Sequence, residues 1–196
     1  MTRSSAERKA IAATTIPADS EVPILRRSTS VMVWLVIFAV LAVVAHLMQP
    51  PTRAPGEPVT GTARVIDGDS LEIAGVRVRL HGIDSPEREQ DCRDANGRTY
   101  SCGRASMRAL AAAVAGRSVT CTPTQVDQYN RDVATCTVDD ADLGEAMVRG
   151  GHALDYARHS RGRYAAAERE ARAARRGLWA GTFETPATWR QQNAKR

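Results

Sequence analysis

Residues 61–87 read GTARVIDGDSLEIAGVRVRLHGIDSPE. Thr62–Asp67 and Leu71–Ile73 have the composition of short β-strands, and Gly68 in the Asp67-Gly68-Asp69 turn separates them. Ala74-Gly75 turns the chain again into Val76–Leu80, which alternates strictly. Val76, Val78 and Leu80 share one face of that strand, and Arg77, Arg79 and His81 share the other. The apolar face is core, so Arg79 projects from the opposite side, where a ligand can meet it.

Working outward, residues 88–102 read as a charged loop with an Asn96-Gly97 turn. Arg104–Ala115 reads as a helix whose inner stripe is Met107, Leu110, Ala111 and Val114, stopped by Gly116. Ser118–Thr122 and Val133–Val138 read as strands. Asp142-x-x-Glu145 starts a further helix that ends at Gly150-Gly151, and Tyr164–Arg176 is a last helix closed by Gly177. The order is β-β-β-α-β-β-α-α. It predicts an α+β, mainly β domain: a small five-stranded barrel with three helices.

The chain has 196 residues, 43% hydrophobic, 25% charged and 5% aromatic. That is one domain of about 100–150 residues with some length to spare. It excludes a collagen-like chain, an acidic disordered chain and a polytopic membrane protein. The net charge is +5, and only Lys9 and Lys195 are lysines. The charge divides into +2 over the first sixty residues and +3 over the rest, too little by itself to mark a nucleic-acid binder.

The spare length lies at the amino end. Residues 31–48, VMVWLVIFAVLAVVAHLM, carry no formal charge and are apolar on every helical face, so they are expected to form a transmembrane anchor. Arg26 and Arg27 precede it, which places residues 1–30 in the cytoplasm and the C-terminal domain outside, on a single-pass inner-membrane protein. No strict Ala-x-Ala site ends the run; if the segment is nonetheless cleaved as a signal, the domain is secreted. Residues 49–60 hold four prolines and read as an extended tether, residues 61–183 as the folded domain and 184–196 as a tail.

All four cysteines follow the apolar segment, and an even count outside a membrane predicts disulfides. Three pairings are possible. Cys92–Cys102 would close the polar loop and Cys121–Cys136 would join neighbouring strands, and this pairing is the one expected. No pair has the C-x-x-C spacing of a zinc site.

Two acidic turns, Asp67-Gly68-Asp69-Ser70 and Asp84-Ser85-Pro86-Glu87, bracket the alternating strand. Each alone reads as ordinary turn chemistry. Together they crowd carboxylates at adjacent strand ends, which a cation or arginine must neutralise, and such oxygen donors suit Ca²⁺.

With DQYNR at 127–131, DLGEAMVRGGHA at 142–153 and YAAAEREARAARRGLW at 164–179, the blocks from residue 60 to about 180 resemble the staphylococcal nuclease family. The resemblance implies an OB-type barrel and Ca²⁺-dependent cleavage of DNA or RNA by a monomer. It implies Asp69 and Asp84 as Ca²⁺ ligands with the Ser85 carbonyl, and Asp67 behind them. Arg79 and Arg131 match the phosphate-binding arginines, and Glu87 matches the glutamate that activates or positions water. Tyr129 and Tyr156 are the candidates to line the nucleotide pocket.

Ser70 stands where the family usually has threonine, and Asn130 where it has glycine; asparagine tolerates a left-handed backbone. His81, His152 and His159 show no ligand spacing, and Arg169, Arg172, Arg175 and Arg176 read as a solvated face. The rival expectation is a catalytically silent barrel that binds nucleic acid or a protein partner at the cell envelope. Such a module is expected to lack some of these acidic or arginine positions, and none is missing here.

Overall fold

The computed structural model describes residues 27–48 and 56–193. Most of the expected cytoplasmic segment, most of the proline-rich tether and the last three residues lie outside that range. The described residues fall into two units, one holding the first helix and the other everything from Gly56 onward.

The first unit is α1 (Arg27–Leu47), with side chains described from Val31 onward and exposed on all faces. The described apolar helical run is roughly 25 Å long at about 1.5 Å per residue, against a hydrocarbon core of about 30 Å. Among the described residues no helix is long and apolar enough to cross a membrane, so the span expected over 31–48 stops short of one there.

The second unit runs β1 (Val59–Val65), β2 (Ser70–Ile73), β3 (Val76–Leu80), β4 (Ile83–Asp84), β5 (Asp91–Arg93), β6 (Thr99–Ser101), α2 (Cys102–Val114), β7 (Ser118–Val126), β8 (Asp132–Val138), β9 (Ala141–Asp142), α3 (Leu143–Arg149), β10 (Leu154–Asp155), α4 (Ala157–Ser160), α5 (Ala165–Ala173), a 3-10 turn (Gly177–Ala180) and α6 (Pro186–Asn193). Antiparallel pairs β1–β2, β2–β3, β1–β7 and β7–β8 form a curved sheet, and β3 meets β8 in parallel to close it. The result is the expected five-stranded barrel, of mixed strand direction. At the closing seam Val78 faces Asp132, Arg79 faces Val133 and Leu80 faces Ala134.

Strand alternation sets the core. Leu71, Ile73, Val78, Leu80, Val119 and Ala134 are buried in the barrel, capped by Leu110 and Val114 of α2 and by Leu143, Met147 and Val148 of α3. Burying one such Leu, Ile or Val side chain contributes roughly 1.5–3 kcal/mol. Cys121 and Cys136 face one another across β7 and β8 and are joined there; Cys92 and Cys102 are joined beside Leu178. Both expected pairings are present. Asp142 caps α3 by accepting from the Glu145 amide, as its spacing predicts.

Four expectations need correction. The inner face of α2 is Cys102, Gly103, Ser106, Leu110 and Val114, while Ala111 is exposed and Met107 only half-buried. The small residues turn inward because α2 packs directly against backbone. The 88–102 loop is a β5–β6 hairpin around the Asn96-Gly97 turn, with Arg93 also bridging to Thr182. Beyond residue 183 stands a helix, α6, where a tail was expected. There are therefore more helices than the three read from the pattern, because α4 and α6 are short and lack an apolar stripe.

Candidate functional site

Both acidic turns are built by local backbone bonding. Asp67 accepts from the Asp69 amide (3.1 Å) through its side chain, and Asp69 accepts from the Leu80 amide (2.8 Å) through its carbonyl, which docks the turn on the end of β3. Asp84 ends β4, whose partner β10 sets Leu154 opposite it. Gly68 is needed where the two turns meet: a Cβ there would lie 2.5 Å from the Ser85 hydroxyl oxygen and 2.7 Å from the Ser106 Cβ. Gly103 is needed for the same reason, since its Cβ would lie 1.7 Å from the Glu87 carbonyl oxygen. These two glycines let α2 back directly onto the turns.

The carboxylates of Asp69 and Asp84 are thereby buried and converge on one nitrogen. Arg79 Nη2 lies 2.8 Å from Asp69 Oδ2 and 3.3 Å from Asp84 Oδ1. Ser70 donates to Asp69 Oδ1 at 2.9 Å. Burial pushes the Asp69 carboxyl up from 3.8 to about 7; Arg79 opposes that rise and the neighbouring charge of Asp67 adds to it. Arg79 alone thus does not offset the burial of Asp69, and a hard divalent cation would add to its effect. Among the described residues no three His, Cys, Asp or Glu side chains gather around one point, so a cation here would rest on these two carboxylates and on oxygens of another kind, such as the Ser85 carbonyl. His81, His152 and His159 take no part in such a group.

Arg131 is set apart from the carboxylates, in the turn before β8. Asp127 accepts from the Tyr129 and Arg131 amides (2.9 and 3.0 Å) and from Arg131 Nε and Nη2 (2.8 and 2.7 Å). Burial would raise the Asp127 carboxyl, but the bonds from Arg131 and Tyr129 outweigh it and hold it below its usual value. Asn130 takes a left-handed φ of 56°, the conformation its position predicts. The Arg131 guanidinium stands 5.4 Å from the centre of the exposed Tyr129 ring.

Arg79, Arg131, Tyr129 and Tyr156 all line one cavity of about 440 Å³, with the His159 ring tilted against Tyr156, centres 4.7 Å apart. The structure therefore gathers the expected site into two neighbouring groups. Asp69 and Asp84 pair with Arg79, with Asp67 and Ser85 in the turns that carry them, and Arg131 and the tyrosines line the same cavity as Arg79.

Two residues escaped sequence reasoning. Arg190 of α6 lines the same cavity and pairs with Asp84 and Glu87. Gln90, fully buried, ties the Glu87 turn to the segment before α6. Neither belongs to a local motif, because the contact joins residues far apart in the chain.

A family model described as Staphylococcal nuclease homologue matches residues 77–181. The chain belongs to the staphylococcal nuclease family. Within it, the chain is 39% identical over 140 residues to a protein named succinoglycan biosynthesis protein ExoI of Rhizobium meliloti (strain 1021), covering 70% of this chain and 73% of the relative. It is 34% identical over 136 residues to an uncharacterized endonuclease of Escherichia coli, covering 66% and 82%. A probable staphylococcal-like nuclease of Oryza sativa subsp. japonica is 36% identical over 131 residues, which cover 65% of this chain but 32% of that longer protein. The staphylococcal nuclease match takes in Arg79, the Asp84–Glu87 turn and Arg131. Asp67, Asp69 and all of α6 lie outside it.

Proposed function

We propose that this chain is a Ca²⁺-dependent phosphodiesterase that hydrolyses DNA or RNA. The observation that carries this reading is the meeting of two buried carboxylates on Arg79 at the rim of a cavity that Arg131 shares. Relatives named as nucleases and an endonuclease support the same reaction class.

In this reading Asp69, Asp84 and the Ser85 carbonyl hold the cation, with Asp67 orienting the Asp69 turn. Bound there, Ca²⁺ would supply charge neutralisation to a phosphate oxygen and a place for water. Arg79 and Arg131 donate to the phosphate oxygens, and their forks strengthen as charge concentrates during the reaction. Glu87 holds the attacking water and accepts its proton as the new oxygen–phosphorus bond forms. The leaving oxygen departs with the electrons of its bond to phosphorus and takes a proton from solvent. Tyr129 and Tyr156 offer rings against which a base or sugar can rest.

The reading extends to location. The two disulfides support a domain on the oxidising side of a membrane or outside the cell. Its test is the full chain in detergent, incubated with single-stranded DNA with and without Ca²⁺. Cleavage is expected only with the metal, and Glu87→Gln is expected to lower kcat about 10²–10³-fold. Absence of metal-dependent cleavage by folded protein would refute the proposal.

A further inference from the structure

We propose that α6 is part of the active site, with Arg190 a positioning residue that sets Glu87 and Asp84 relative to one another; this rests on the roles proposed above for those carboxylates. Arg190 Nη1 donates to Glu87 Oε1 at 2.8 Å and to Asp84 Oδ1 at 3.0 Å, and Nη2 donates to Asp84 Oδ2 at 3.1 Å. One planar fork therefore engages both oxygens of Asp84 and an oxygen of Glu87. Two carboxylates that would otherwise repel are held at a separation set by the guanidinium, a geometry that a lysine cannot reproduce.

The docking of α6 points the same way. The Gln90 side chain is fully buried and bonded at both ends: its carbonyl oxygen accepts from the Glu87 amide at 3.2 Å, and its amide donates to the Glu184 carbonyl at 2.8 Å. The backbone of Arg93 and Thr182 is paired in both directions. The Gln90–Glu184, Arg93–Thr182 and Arg190 ties all run from the chain just before α6, or from α6 itself, to the segment from Asp84 to Arg93. A helix that served only to cover apolar surface would need none of them.

Charge gives the proposal a distinctive signature. Asp69, Asp84 and Glu87 share the guanidiniums of Arg79 and Arg190, leaving an excess of negative charge that a divalent cation relieves. Without Arg190 the excess grows, and Asp84 loses the donor that shares its oxygens with any incoming cation. Ca²⁺ affinity should then rise while Glu87, no longer held, does its work less well. Collapse of α6 alone would lower both.

The test compares full-length wild type, Arg190→Ala and Arg190→Lys in detergent. Calorimetric titration of Ca²⁺ into metal-free protein without substrate is read beside steady-state cleavage of single-stranded DNA. Arg190→Ala is expected to bind Ca²⁺ about threefold to tenfold more tightly, with kcat lowered about tenfold to a hundredfold and KM moved much less. Arg190→Lys keeps the charge without the fork, so its Ca²⁺ affinity returns toward wild type while kcat stays low. Exposed Gln191→Ala is expected to match wild type in both. Unchanged kcat in Arg190→Ala beside an active wild type overturns the role of Arg190. So does weakened Ca²⁺ binding accompanying the lost rate. A wild type that neither binds Ca²⁺ nor cleaves overturns the nuclease reading, and this proposal with it.

Discussion

Replacing Asp69 by Asn is expected to stabilise the metal-free chain, and by an amount that depends on pH. In the folded chain burial lifts the Asp69 carboxyl from 3.8 to about 7, against the opposing pull of Arg79. The unfolded chain releases the same proton near the ordinary value. Between those limits the folded state holds a proton that the unfolded state has lost, so stability falls as pH rises, by about 1.4 kcal/mol per pH unit. Above about 7 both states are ionised, the slope ends, and the accumulated loss is roughly 4 kcal/mol. Asparagine is nearly the same shape and does not titrate, so it mimics the protonated form. Urea unfolding in EDTA, followed by circular dichroism at pH values from 4 to 8, should show D69N and wild type nearly equal at the acid end. The advantage of D69N should grow through pH 5 and 6 and level off above 7. Saturating Ca²⁺ should reverse the order at pH 8, because binding to the folded wild type adds stability that the variant cannot gain. A difference independent of pH, or one that grows toward acid, would refute the reasoning.

Three other outcomes are expected. Asp127→Ala removes the acceptor that organises the 127–131 turn; steady-state assays should show KM for DNA raised about tenfold, with the melting temperature little changed because the turn sits outside the core. Asp142→Ala loses the α3 cap and leaves the buried Tyr164 hydroxyl without its acceptor. Urea unfolding should register a loss of about 2–4 kcal/mol, with the exposed Arg163 pair adding little. Replacing Cys121 and Cys136 together by Ser opens a link between residues 15 apart in sequence and should lower stability by about 3 kcal/mol, visible as a shift of the urea midpoint.

What could be read in advance was local. Alternation from Val76 to Leu80 showed which face was core and sent Arg79 outward, and the Asp142-x-x-Glu145 spacing marked the start of α3. Asn130 was legible as a left-handed residue because of its side-chain chemistry. The inner face of α2 was misread because an apolar stripe is a poor guide where Gly103 and Ser106 face in to make room for the Glu87 and Ser85 turns. The β5–β6 hairpin is too short and polar to alternate, and it is closed by Cys92–Cys102 instead of by a core face. Arg190 had no local signal at all. Its partners are Asp84 and Glu87, and only the packed chain brings α6 over them.

The parallel seam between β3 and β8 also governs how the barrel can fold. The β1–β2–β3 meander and the β7–β8 hairpin are each local and can form early, whereas joining Val78 to Asp132 must close a long loop and carries its entropy. Arg79 lies on one edge of that seam and Arg131 immediately precedes the other, so the two guanidiniums are brought together by the closing event itself. A chain arrested before closure would show most of its secondary structure by circular dichroism and yet possess no phosphate-binding pair. During refolding, recovery of cleavage should therefore follow the slow phase of barrel closure and lag behind the return of secondary structure.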